Sequence, residues 1–292
     1  MGAETTAMRV SRFEFLVSGW LAIGALSAAY GFDQEEKETI RRNFPAAARL
    51  EVDNVNGFIH VTGYNGSEIQ MVAEKTIRAE SQDRLDAAKR DVKLDTTQSG
   101  DALTFYVDGP FRCHCDDGRS GVRNRSHRDY RVTYDFDIKV PAATMLLLGT
   151  VNGGDVRVEN TTGDFDVANV NGGIEMREVA GSGPVHTVNG KISVLFARNP
   201  AKNCSFKTIN GSIETSFRPN LAADVRVKTF NGQAYTDFDV TPLPALSPVS
   251  ERRDGKFIYR SDRSTGLRIG NGGPEFKFDT LNGSIRIINR GQ

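Results

Sequence analysis

The residue types best suited to chemistry cluster in the segment PFRCHCDDGRSGVRNRSHRD, residues 110–129. Cys113, His114 and Cys115, with Asp116, Asp117 and His127 nearby, bring metal-donor side chains together. Donors at this spacing can share an ion, although a structural zinc site usually takes Cys-x2-Cys pairs or a clear distant pair. A disulfide among Cys113, Cys115 and Cys204 suits an oxidising compartment, and unpaired exposed thiols are the third alternative. Three cysteines leave at least one thiol free or paired between chains, so they do not staple the fold. The same segment carries Arg112, Arg119, Arg123, Arg125 and Arg128, and Arg131 follows closely. Such a set could grip carboxylates or phosphates of a surface polymer; the plainer alternative is a solvated loop balanced by its own aspartates.

Other chemical signals are sparse. Asp164 and Asp166 share a strand face and resemble the carboxylate pairs with which β-solenoids can cleave polysaccharides. The plainer reading makes them turn and solvent-face residues. His60 and His186 have no nucleophile beside them in sequence and read as structural. The chain has no G-x-S-x-G elbow, H-E-x-x-H, Walker A loop or dinucleotide fingerprint, so no catalytic residue, metal or cofactor is expected. The 37 Lys plus Arg balance 37 Asp plus Glu, leaving no global field to collect nucleic acid or an anionic membrane.

The elements that would position these residues are announced by a repeat. Thr or Asn, an apolar residue and then Asn-Gly recur with the pairs Asn56 and Gly57, Asn152 and Gly153, Asn171 and Gly172, Asn189 and Gly190, Asn210 and Gly211, Asn231 and Gly232, and Asn282 and Gly283. From Asn152 the spacings are 19, 18, 21, 21 and 51 residues. The first four each match one coil of about 20 residues, and the last holds an insertion. Asn and Gly occupy positive φ cheaply, which a tight corner between strands requires. The apolar residue before each Asn shares parity with those three and five positions after it, as in Val188, Ile192 and Val194, so all three are expected to face inward. One coil cannot bury such a face alone, but stacked coils share a core, and stacking would set the Asn amides in a ladder. The expected fold is all-β, a β-solenoid with Asn-Gly corners preceded by a smaller β-rich region with one short helix.

Arg9 and Arg12 precede the apolar run FLVSGWLAIGALSAAYG, which ends in small residues and reads as a signal peptide over 1–31. An uncleaved anchor is the alternative, and the only membrane contact expected. In the β-rich region, 38–142, residues 49–53, 58–62 and 68–77 read as strands, and Tyr130 to Val140 alternates without a break before Pro141. Between them, 81–93 reads as a helix with Ser81 as N-cap and Asp83 in the first turn. The repeat region spans 143–290, with an inserted loop near 241–256 that carries Pro242, Pro244 and Pro248.

The stretch LEVDNVNGFIHVTGYNGSEIQMVAEK, the strand ending in IKVP and the serial TVNG-type coils resemble the bacterial putative-adhesin domain family of unknown function over about residues 38–290. The resemblance implies an extracytoplasmic, β-solenoid-like domain and brings no catalytic or binding residues with it. The chain departs from it at the Cys-His-Cys loop and the Pro-rich insertion. The expected role is a non-enzymatic adhesin-like surface for a cell-surface polysaccharide or another envelope protein. A carbohydrate-active enzyme and an envelope-stress scaffold are the alternatives. If the N-terminal segment is removed on export, the mature protein contains no Trp, because Trp20 is the only one. Mass spectrometry of the exported form should find no peptide containing Trp20, and finding one there contradicts the assignment.

Overall fold

Apolar residues at every second position run through most of the chain, and they form strands with one buried face. The strand Tyr130–Pro141 buries Val132, Tyr134, Phe136, Ile138 and Val140; Ile192–Phe196 buries Ile192, Val194 and Phe196. The structure, a computed structural model, describes residues 34–114, 120–122, 129–245, 249–253, 256–260 and 264–291. The expected signal segment lies outside them.

Among the described residues the fold is all-β with one helix, built on two large open sheets of mixed strand direction that share one core. From Met145 to Phe217 the chain passes alternately between them. Met145–Asn152, Phe165–Asn171, Pro184–His186 and Cys204–Asn210 lie side by side in one sheet; Val156–Glu159, Ile174–Val179, Ile192–Phe196 and Ile213–Phe217 do so in the other. Every pairing among these neighbours is parallel. The register stacks Ile59, Val156, Ile174, Ile192, Ile213 and Ile285 in one inner row, each at most 1% exposed. Burying one such side chain stabilises by about 1.5–3 kcal/mol. Aromatic stacks fill the far end of the core, with ring centroids 4.9 Å apart for Phe196 and Phe217 and 5.0 Å for Phe206 and Phe278.

The repeats do not lie in sequence order within the sheets. Glu275–Asn282 lies between Cys204–Asn210 and Ala223–Asn231, and Ile285–Asn289 lies between Ile213–Phe217 and Ala234–Thr236. The last coil in sequence therefore occupies the next-to-last position in space. The expected Pro-rich loop is instead strand-bearing: Val240–Pro242 and Thr265–Ile269 pair antiparallel, Thr265–Ile269 pairs with Ala223–Asn231, and Val249–Arg253 and Lys256–Arg260 form their own hairpin.

At the other end the sheets cross the expected boundary near residue 142 without a break. Arg49–Asp53 pairs with Met145–Asn152, and Ile59–Tyr64 pairs with Val156–Glu159. Gln34–Pro45, too charged to read as a strand, pairs antiparallel with Glu68–Ala79 over its full length. The helix Gln82–Asp91 matches expectation: Ser81 accepts from the Arg84 N–H, Asp83 lies in the first turn, and Leu85 and Ala88 are buried. The segment expected as a plain loop at 110–129 contains a short antiparallel pair, Arg112–His114 with Ser120–Val122.

The corner chemistry differs from expectation. No motif Asn adopts positive φ, and among the motif glycines Gly57 and Gly153 do so clearly, at 111° and 76°. What demands glycine elsewhere is the approach of the next coil. A Cβ on Gly172, Gly190, Gly211, Gly232 or Gly283 would stand 1.9–2.3 Å from a carbonyl oxygen of the adjoining corner. Backbone cannot yield as a flexible side chain can. Gly211→Ala should therefore destabilise by roughly 2 kcal/mol or more, in the range of overpacked cores, whereas Gly149→Ala, whose nearest neighbour would be the Val52 carbonyl at 3.9 Å, should be close to neutral. Thermal melts of the two variants check this; equal melting temperatures contradict it.

Candidate functional site

Each residue of the repeated corner has a separate task. The first donates to the adjoining corner, from a buried position except at the half-buried Thr229: Thr150 to the Gly57 carbonyl at 3.0 Å, Thr187 to Gly172 at 2.9 Å, Thr208 to Gly190 at 3.1 Å, Thr280 to Gly211 at 3.0 Å and Thr229 to Gly283 at 3.0 Å. Asn169 does the same with its amide, to Gly154 at 3.0 Å. The third residue builds the expected ladder. Asn171 Nδ2 donates to Asn152 Oδ1 at 3.0 Å, Asn189 to Asn171 and Asn210 to Asn189 at 2.8 Å, then Asn282 to Asn210 and Asn231 to Asn282 at 2.7 Å. The remaining motif Asn, Asn56, instead donates to the Val132 carbonyl at 3.0 Å.

The second residue corrects the parity argument. Val55 is buried, Val151, Val170 and Val188 are half-buried, and Ile209, Leu281 and Phe230 are exposed by 39%, 46% and 76%. The register sets the last three side by side. Alternation counted through a corner does not hold, because the chain turns between the residue before Asn and the strand after Gly. The result is an outward apolar row beside the Asn ladder. The ladder amides of Asn171, Asn189, Asn210 and Asn282 each spend one N–H and one lone pair on their neighbours, and these four side chains are exposed.

The other expected site residues are dispersed or occupied. Cys204 is a buried free thiol; burial pushes its pKa up to about 11, and its Sγ lies 3.7 Å from the Lys202 carbonyl. A protonated, buried thiol is a poor metal ligand or nucleophile. Cys113 lies on a short strand, Cys115 lies outside the described residues, and no group of three His, Cys, Asp or Glu able to hold a metal occurs among the described residues. Arg112 leaves the proposed anion-binding set. Its side chain is 4% exposed, pairs with Asp53 Oδ1 at 2.9 Å, donates to the carbonyls of Val107 and Asp53 at 2.9 Å, and lies over the Tyr106 ring at 4.4 Å. Arg119, Arg123, Arg125 and Arg128 lie outside the described residues. Asp164 is tied to Lys202 at 2.7 Å and to the Ser182 N–H at 3.0 Å, and the Lys202 hydrogen bond holds its carboxyl below the usual range. His60 Nδ1 lies 3.3 Å from Asp137 Oδ1, and His186 is exposed.

One charged group escaped the sequence reading. Lys75 is only 7% exposed; its Nζ donates to the Val92 carbonyl at 2.9 Å and stands 5.6 Å from the Tyr134 ring centroid. Glu36, Glu38, Ile77 and Lys89 line a cleft of about 190 Å³ beside it. Lys75 lies in a strand with alternating burial, where a partly polar inner position leaves no separate signature. It pins the end of the helix to the sheet.

No protein family and no curated protein matches the chain. Solved structures similar to it include a putative cell adhesion protein from Clostridium sporogenes, 9% identical with a TM-score of 0.40, covering 88% of this chain and 100% of its own. A putative adhesin from Bacteroides fragilis is 12% identical with a TM-score of 0.36, covering 86% and 97%. A putative lipid binding protein from Parabacteroides distasonis is 10% identical with a TM-score of 0.33, covering 87% and 96%. At these scores they assign no activity.

Lys75 supplies a pH test. Burial holds its pKa below the ordinary 10.5, so the folded chain releases this proton at lower pH than the unfolded chain does. The group's contribution to stability then rises as pH climbs through the lowered value and levels off above the unfolded one. The melting-temperature difference between wild type and Lys75→Met should shift in favour of wild type as pH rises towards 10.5. A constant or reversed difference contradicts the assignment.

Proposed function

We propose that the chain is a non-enzymatic, extracytoplasmic protein whose central coils form a short β-solenoid, and that the outer flank of those coils is an adhesin-like binding surface. The observation that supports it is the outward row of Ile209, Leu281 and Phe230 running beside the Asn ladder. Parallel strands repeat every ~4.8 Å, so the flank offers apolar contacts and amide hydrogen-bonding groups at a regular step. That chemistry suits a polysaccharide, whose sugar rings present apolar C–H faces and hydroxyls together. An envelope protein is the other occupant the experiment can reveal. The carboxylate-based enzyme is not favoured, because Asp164 is engaged with Lys202 and Ser182. The signal-like N-terminal segment supports export.

The test is binding of the exported chain to envelope polysaccharide purified from the producing organism, with Ile209→Ser/Leu281→Ser as the variant. Both side chains are exposed, so the variant should melt close to wild type and bind tenfold or more weakly. A folded variant with unchanged binding overturns the reading.

A further inference from the structure

The corners at Asn171, Asn189, Asn210 and Asn282 each present four groups to the corner beyond, and all four are used. For the corner at Asn189 and Gly190, the Gly190 carbonyl accepts from Thr208 at 3.1 Å and the Gly190 N–H donates to the Asn210 carbonyl at 3.0 Å. Asn189 Oδ1 accepts from Asn210 at 2.8 Å, and the Ile192 N–H donates to the Ser212 carbonyl at 3.0 Å. The corner at Asn231 and Gly232 is the outermost in space and offers the same set: the Gly232 carbonyl, the Gly232 N–H, Asn231 Oδ1 and the Ala234 N–H. None of these has a partner among the described residues, and residues 231–235 are exposed. Thr265–Ile269 seals Ala223–Asn231 only as far as Val227. Among the described residues the open edge therefore runs from residue 228, around the corner, to residue 236.

The opposite end of the stack shows what such a corner takes. At Asn56 and Gly57 the extended strand Tyr130–Pro141 covers the corner: Val132 accepts from Asn56 Nδ2 at 3.0 Å, the Tyr134 N–H donates to the Asn56 carbonyl at 2.9 Å, and the Phe136 N–H donates to the Phe58 carbonyl at 3.0 Å. The other long edge, Gln34–Pro45, carries Glu35, Lys37, Glu38 and Arg41, the kind of charge that discourages strand addition. The open corner is instead flanked by Phe230 and Tyr235, 76% and 51% exposed. At the position where interior corners bury Ile192, Ile213 and Ile285, it has the small Ala234, which leaves its N–H accessible.

We propose that the open corner at residues 228–236 is a docking site for an extended peptide strand of another protein, one carrying a Thr or Ser, a spacer, and Asn-Gly, which adds to the sheets as one further coil. The site lies at the end of the stack rather than on its flank and does not depend on the polysaccharide reading. Main-chain hydrogen bonds give such strand addition its affinity, and side chains give it specificity. A second copy is a poor donor of this strand. Its other described corners are covered on both sides, and two open corners related by a two-fold axis would run antiparallel, out of step with a parallel ladder.

The experiment titrates the exported chain with a fluorescent synthetic peptide of its own residues 207–217, KTINGSIETSF, which docks in this way inside the fold. Saturable binding is expected. It should weaken tenfold or more when the peptide's Thr and Asn become Val and Leu, an arm that leaves the protein unchanged. It should weaken similarly with Ala234→Pro, which deletes an N–H facing away from the neighbouring strand, where proline is tolerated; an unchanged melting temperature confirms that this variant folds. The Ile209→Ser/Leu281→Ser variant should still bind the peptide, so either reading can fail alone. No saturable binding at millimolar peptide, or equal binding by the altered peptide or the folded proline variant, overturns the proposal. So does a dimer that Ala234→Pro dissolves and that excludes the peptide.

Discussion

The central coils depend on how closely their corners approach. Strands in a parallel sheet are ~4.8 Å apart, and where the chain turns from one sheet to the other the backbone itself meets the next turn. A Cβ at Gly211 would stand 1.9 Å from the Gly190 carbonyl, and one at Gly283 the same distance from Gly211. Glycine there is a condition of stacking rather than a convenience of turning. Once corners meet so closely, water cannot easily reach the carbonyl between them, and a buried carbonyl must find a donor. The threonine three positions before the glycine of the adjoining corner supplies it, with Thr208 serving Gly190 and Thr280 serving Gly211. The motif is one packing solution in which contact, buried hydrogen bond and amide ladder require one another.

Much of this was legible in the sequence, for identifiable reasons. The repeat of Asn-Gly located the corners along one side of the stack, and the unbroken alternation from Tyr130 to Val140 located a strand, because both signals are local. Ser81 and Asp83 marked the helix start for the same reason. What failed was non-local. The outward turn of Ile209 and Phe230 was missed because parity does not survive a corner. The exchange of the last two coils left no mark in the ladder residues, since Asn231 and Asn282 make equivalent bonds. One residue did carry a signal: Ala234 stands where the interior repeats have Ile, as suits a strand that is the edge of its sheet among the described residues. The strand Gln34–Pro45 was invisible because an edge strand on a polar face needs few apolar residues.

The charged residues that looked functional mostly serve as struts. Arg112 crosses from its short strand to Asp53, and Lys75 reaches the carbonyl after the helix, each giving up water for a set of fixed partners. The exchanged order also makes the parallel ladder depend on a late segment, because the parallel neighbour of Ala223–Asn231 is Glu275–Asn282. Such non-local pairing is a feature of slowly folding β proteins.

The corner contacts and their spatial order can be read together by amide hydrogen exchange of the native chain. In the order described, Gly211 donates to Asn282 and Gly283 donates to Asn231, while the Gly232 N–H has no acceptor among the described residues. The account predicts slow exchange at Gly190, Gly211 and Gly283 and fast exchange at Gly232. Protection at Gly232 with fast exchange at Gly283 would mean that the coils stack in sequence order, and would contradict it.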